Sequence, residues 1–268
     1  MRVLRILRNI SLGIVGLLLA GALVIAGIII YDSQFPAYRV SDLTNVTYTG
    51  ADGVTLRGYL AVPPGGGRHP SVVMIHEFYG LNESIVRKAD LLAQEGFVVL
   101  APDAYRGKST ALVPRAIWLT VTTPRERIDA DIDAAYAFLT TQQSVDAQRS
   151  GVVGFCFGGT QALRLGTRNP NLAANVIFYG SGLVTSPEGL GVLGQSGPVL
   201  GIFGERDSSI PLQEVEAFEQ AMQQREITNT VTVYPGVGHA FVSYEALDEP
   251  GPARQAWEEM LAFLKANL

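Results

Sequence analysis

Cys156 is the only cysteine of the chain. It stands in Gly154-Phe155-Cys156-Phe157-Gly158-Gly159, directly after the apolar pair Val152-Val153. A sulfur with glycine two residues away on either side fits a nucleophile elbow, in which a strand ends, one strained residue turns, and a helix begins. Glycine is required there because a Cβ would collide with neighbouring backbone in so tight a turn. The side chain would then stand above the sheet edge at a helix N-terminus, where the dipole is expected to favour thiolate over thiol. A free cysteine is more often a buried, inert apolar residue, so the rest of the chain must supply the partners of a nucleophile.

Two further clusters do so. Gly204-Glu205-Arg206-Asp207 follows the apolar run Val199-Leu200-Gly201-Ile202-Phe203, and Gly236-Val237-Gly238-His239 follows Val231-Thr232-Val233-Tyr234. The order is nucleophile 156, acid 207, imidazole 239, which is the order of the α/β-hydrolases. Each residue falls just past the C-terminal end of an expected strand, where open α/β sheets place their sites. A lone Asp in a loop is ordinarily solvated and a lone His a satisfied core or surface residue; three in this order favour nucleophilic catalysis.

The elements that must position them alternate along the chain. A hairpin is expected from Val46–Thr49 through Asp52-Gly53 into Thr55–Val62. After a Gly/Pro loop come the strand Val72–Ile75, a helix from about Ser84 to Glu95 capped by Asn82, and the strand Phe97–Ala101. A helix over about Pro124–Gln142 carries Ile128, Ile132, Ala135 and Phe138 at helical spacing. The elbow strand and its helix follow, then the strand Ala174–Phe178, the acid-bearing strand, and a helix over Pro211–Arg225. The histidine-bearing strand and a terminal helix near Arg254–Leu268 complete the series. This alternation predicts an α/β fold, a mostly parallel sheet with helices on both faces.

Ahead of it, Ile10–Tyr31 contains no charged residue. Twenty-two residues span about 33 Å as a helix, enough to cross a hydrocarbon core. Arg2, Arg5 and Arg8 precede the run and no acid occurs before Asp32, so the N-terminus is expected on the cytoplasmic side with the rest outside. A cleaved signal peptide competes, but the run is long for one and Gly27-Ile28-Ile29-Ile30 offers no small-x-small cleavage site. The expected organisation is a transmembrane signal anchor over 1–31, which contacts the bilayer through 10–31, a linker over 32–45 and a catalytic domain over 46–268.

Composition bounds the remainder. The net charge is −5, and about −8 without the three anchor arginines, so no basic surface for nucleic acid is expected. One cysteine cannot form an intrachain disulfide, and one Cys with His69, His76 and His239 makes a structural zinc site unexpected. No cofactor is called for, and the sequence leaves the oligomeric state open.

With elbow, acid and histidine in place, residues 46–268 resemble the dienelactone hydrolase family of α/β-hydrolases. The segments that carry the resemblance are the cysteine elbow and Ile75-His76-Glu77-Phe78-Tyr79-Gly80-Leu81-Asn82. Ala101-Pro102-Asp103-Ala104-Tyr105 and Gly238-His239-Ala240-Phe241 support it. The resemblance implies an ester or lactone hydrolase with Cys156, Asp207 and His239 as triad. It implies that Glu77 touches the resting thiol and takes its proton, and that the amides of Phe78 and Phe157 form the oxyanion hole. Tyr79, Tyr105, Trp118, Tyr179 and Phe241 are candidate pocket walls. Family members acting on dienelactones carry an arginine four residues past the histidine, where this chain has Ser243. Arg106 lies one residue away from the position of a second carboxylate-binding arginine. Rival readings are a carboxylesterase with cysteine in place of serine, a thiol redox sensor without a resolving cysteine, and a non-catalytic binding scaffold at the membrane. A Cys156 that resists iodoacetamide at neutral pH, with its acid–base set out of hydrogen-bond range, would mark the last.

Overall fold

The computed structural model describes residues 2–268. Met1 and the side chains of Arg2 and Arg8, part of the anchor's expected basic flank, lie outside the described residues. Eight strands form one sheet: β1 (Val46–Thr49), β2 (Thr55–Ala61), β3 (His69–Ile75), β4 (Val98–Pro102), β5 (Val145–Phe155), β6 (Ala174–Phe178), β7 (Val199–Gly204) and β8 (Asn229–Tyr234). Their spatial order is β1-β2-β4-β3-β5-β6-β7-β8. β1 and β2 form an antiparallel hairpin, β2 joins β4 antiparallel, and the remaining pairs are parallel. This is the α/β-hydrolase arrangement that the alternation predicts.

Central strands such as Ala174–Phe178 and Val199–Gly204 are buried on both faces, which is why they read as continuous apolar runs. Successive side chains enter different cores. Val72, Met74, Val153 and Phe155 pack under α3 (Glu83–Gln94), α7 (Leu212–Gln224) and α8 (Pro252–Asn267). Val73, Ile75, Val98 and Val152 pack under α5 (Arg125–Thr140), with Ala162 and Leu165 of α6 (Phe157–Gly166). Asn82 caps α3 as expected, its Oδ1 accepting from the Ile85 N–H at 3.1 Å.

Two helices depart from the expected pattern. The segment before α5 forms α4 (Val113–Thr122), which has no side-chain N-cap but carries Pro114 in its first turn, a position where the missing N–H costs nothing. Its buried side carries Arg115 with Ala116 and Leu119, while Val113, Ile117, Trp118 and Val121 face out, so its apolar stripe does not mark a core-facing helix. Within 32–45, α2 (Val40–Leu43) buries Val40 in the core, and Asp32 is buried in an ion pair with Arg115 of α4 at 2.7 Å. The N-terminal helix α1 (Arg2–Gln34) ends at this contact. Its Asn9–Gln34 portion is long and apolar enough to cross a membrane, and no residue of the most apolar stretch within it is buried.

Candidate active site

Four chain segments converge at the C-terminal ends of the parallel strands. β5 ends at Phe155, and Cys156 follows with φ 55° and ψ −114° before α6 begins. A positive φ on a non-glycine residue costs of order 1–3 kcal/mol and persists only where the surroundings over-determine it. Here the Cys156 N–H donates to the Phe178 carbonyl at 3.0 Å, and its carbonyl accepts from the Thr160 N–H at 3.1 Å. The elbow glycines are explained by space. A Cβ on Gly154 would lie 1.9 Å from the Gly158 carbonyl oxygen, and one on Gly158 2.1 Å from that of Ile75.

The loop after β8 brings His239 to the sulfur, with Nε2 3.0 Å from Cys156 Sγ. The loop after β7 brings Asp207 to the other ring nitrogen, Nδ1 to Oδ2 at 2.6 Å. Since the carboxylate must accept, Nδ1 carries the proton and Nε2 is free to accept the thiol proton. Asp207 is itself oriented by the Ser209 N–H, which donates to Oδ1 at 2.8 Å. The ring of buried Tyr179 stands edge-on to the imidazole, centroids 5.3 Å apart.

The thiol itself behaves otherwise than the helix dipole alone suggests. Burial pushes it up to about 11. The backbone N–H groups of Phe157 and Phe78 pull the other way, while the charges of Glu77 and Asp207 add to the rise. Removal from water therefore outweighs the backbone N–H groups, and the sulfur rests as a thiol. Slow alkylation at neutral pH would follow from this burial alone, so it does not by itself mark an inert cysteine. The amides of Phe157 and Phe78 both face the sulfur, as the donors of an oxyanion hole must.

Glu77 lies close enough for its charge to act on Cys156, Tyr79 and Tyr179. Among the described residues its carboxylate takes no hydrogen bond, and the thiol's partner is His239. Among the described residues no hydrogen bond joins the Glu77 carboxylate to the thiol.

A cavity of about 910 Å³ opens beside the sulfur, with Phe78, Ile117, Val121, Phe157 and Val184 in its wall. The aromatic candidates distribute differently. Tyr105 is buried against His76 and Phe157, its hydroxyl hydrogen-bonded to Thr120 Oγ1 at 2.9 Å. Tyr79 packs on Phe78, and Phe241 on Tyr179. Trp118 lies on the exposed side of α4 and is not part of the cavity wall. Arg106 is held by Asp131 at 2.6 Å and Asp52 at 2.8 Å. Two carboxylates already satisfy it, so it cannot serve as a free carboxylate clamp. Ser243 accepts a hydrogen bond from the Ala246 N–H.

Two buried residues that the sequence reading assigned no role organise the site. His76 Nε2 accepts from the Ala104 N–H at 3.2 Å, so Nδ1 is the protonated nitrogen and donates to the Glu77 carbonyl at 2.6 Å. It thereby ties the loop after β3 to the loop after β4. Lys88 of α3 is fully buried, donates from Nζ to the Val242 carbonyl at 2.7 Å, and stands 4.2 Å from the Phe155 ring centroid. It joins the strand before Cys156 to the segment after His239. A lysine amid the apolar period of α3 signalled it, since a charge at a core position needs a partner. Among the described residues no group of three or more His, Cys, Asp or Glu side chains could hold a metal ion.

The geometry accords with what related proteins are. The model of the dienelactone hydrolase family matches residues 56–268. The protein usf of Aquifex pyrophilus is 34% identical over 226 residues, covering 81% of this chain and 96% of its own. A Bradyrhizobium protein described as a probable 2-oxo-3-(5-oxofuran-2-ylidene)propanoate lactonase is 33% identical over 232 residues, covering 82% and 92%. The crystal structure of the dienelactone hydrolase-like promiscuous phosphotriesterase P91, from metagenomic libraries, superposes with a TM-score of 0.71 at 25% identity, covering 83% of this chain and 97% of its own. The chain belongs to the dienelactone hydrolase family and is an ester or lactone hydrolase on the α/β-hydrolase fold.

Proposed function

We propose that this hydrolase works through a Cys156–His239–Asp207 triad and a thioester intermediate, on a domain over 46–268 held to a membrane by residues 1–31. The observation that carries the reading is the unbroken relay from sulfur to imidazole to carboxylate, 3.0 and 2.6 Å long. As the Cys156 sulfur bonds to the substrate carbonyl carbon, its proton passes to His239 Nε2. The oxygen becomes an oxyanion facing the amides of Phe78 and Phe157, each such donor contributing about 3 kcal/mol. Collapse breaks the carbon–oxygen bond of the ester or lactone, and His239 returns the proton to the leaving alkoxide. His239 then takes a proton from water as it attacks the thioester, and the departing sulfur regains a proton.

With Arg106 paired and Ser243 in place of a second arginine, a neutral substrate is favoured over an acidic one. The mean hydropathy of 2.8 over the most apolar stretch of Asn9–Gln34, where no residue is buried, supports the anchor. The arginines ahead of it support a cytoplasmic N-terminus and an extracytoplasmic domain.

The test is Cys156→Ala assayed with a p-nitrophenyl ester. Turnover is expected to vanish while the melting temperature stays nearly unchanged. Activity equal to the parent's would reject the thioester route.

A further inference from the structure

We infer that α4 lies in the membrane interface beside the anchor, and that the Cys156 cavity accepts its substrate, a lipophilic ester, from the bilayer. The inference rests on the anchor and hydrolase readings above and adds to them a docking surface and a substrate class.

The first observation is where the apolar helix ends. Its last turns bring Asp32 into a buried ion pair with Arg115, while Thr110 Oγ1 donates to the same carboxylate at 2.6 Å. The start of α4 is thereby fixed at the level where the chain leaves the bilayer. The second is the chemistry of α4's outer side. Val113, Ile117, Trp118 and Val121 are 48%, 52%, 55% and 77% exposed, while Arg115, Ala116 and Leu119 turn inward. Arg115 is the helix's sole charged residue, and it is spent on Asp32. A helix with an uncharged apolar outer side is costly in water and at home at a lipid interface.

The third observation is an aromatic group at the same level. Tyr31 and Phe35, at the end of the apolar helix, are exposed with ring centroids 5.2 Å apart, and Trp118 is exposed on the helix pinned beside them. Aromatic residues gather where hydrocarbon meets headgroups. The fourth links surface to chemistry: Ile117 and Val121 belong both to this outer side and to the wall of the cavity that holds Cys156. An acyl or alkyl chain resting in the bilayer could enter the cavity along these residues and place its ester carbonyl over the sulfur.

The experiment uses the full chain in phosphatidylcholine vesicles, with and without bromine on the acyl chains. Trp257 is buried in the domain, so emission lost on Trp118→Phe reports Trp118 alone. That component is expected to fall at least twofold in brominated vesicles; no quenching would overturn the docking. Quenching that disappears as protein density rises would assign the surface to a second copy and overturn it equally. The substrate half is tested by Val113→Glu with Trp118→Glu, residues outside the cavity wall. Turnover of soluble p-nitrophenyl acetate should stay within twofold of the parent. Turnover of p-nitrophenyl palmitate dissolved in the vesicles should fall at least tenfold; equal changes on the two esters would overturn the lipid route. Release of the parent from vesicles by alkaline carbonate would remove the anchor reading and this inference with it. A parent inactive on acetate would remove the hydrolase reading and the lipid route, leaving quenching to decide the docking.

Discussion

At Cys156 the competing influences on one sulfur can be ranked. Burial and the Glu77 charge raise the thiol, two backbone amides lower it, and the outcome is about 11. A protonated thiol is protected from alkylation and oxidation, and in the proposed mechanism His239, 3.0 Å away, receives its proton when a substrate carbonyl arrives. Glu77 takes no hydrogen bond from the sulfur, so its effect here is that of a nearby negative charge. Glu77→Gln is therefore expected to speed iodoacetamide alkylation at pH 8 several-fold, because one of the causes that raise the thiol is gone. Ester turnover should stay within about threefold of the parent, since in the proposed triad the proton leaves through His239. A hundredfold loss of turnover would instead make Glu77 the proton acceptor, as the family resemblance implies. The measurement is alkylation followed by mass alongside steady-state assay of the same preparation.

At the scale of elements, the turns carry the demands and the helices follow. Gly158 cannot gain a methyl group because the Ile75 carbonyl occupies that space at 2.1 Å, and backbone in a central parallel strand cannot retreat. Gly53, in the turn between β1 and β2, has open space and only a φ of 76° to object. Gly158→Ala should cost at least about 3 kcal/mol or prevent folding, whereas Gly53→Ala should cost about 1 kcal/mol. Denaturant unfolding of both variants checks this contrast, and equal losses would mean the elbow is looser than its geometry. The contrast also explains what could be read without coordinates. Strands such as Val98–Pro102 are legible because continuous apolar runs bounded by glycine have few other solutions, and the elbow because its glycines have one use. α4 was not legible: its inward residues are Arg115, Ala116 and Leu119, and the arginine is buried only because Asp32, 83 positions earlier, meets it. Ile117 and Val121 enter the cavity wall from this helix, whose exposed side carries its apolar residues.

For the whole molecule, two buried titrating groups near the site set opposing trends in acid. His76 is held down to about 4 by burial. The unfolded chain therefore takes up its proton first as pH falls below about 6.5, and the stability His76 contributes is lost progressively towards pH 4. Asp103 is pushed up to about 6, burial outweighing the N–H groups of Tyr105 and Gly107 that donate to it. Here the folded chain takes the proton first, so stability is gained as pH falls from about 6 towards 4. Each displacement is worth about 3 kcal/mol, and together they flatten the acid limb of the parent. Removing either group should expose the other. Asp103→Asn is expected to lose about 2 kcal/mol more than the parent between pH 7 and pH 4.5, and His76→Gln to lose less than the parent or gain. Urea midpoints at the two pH values give the comparison directly. If both variants track the parent, neither group titrates as its burial requires, and the loops after β3 and β4 must open to water before the domain unfolds.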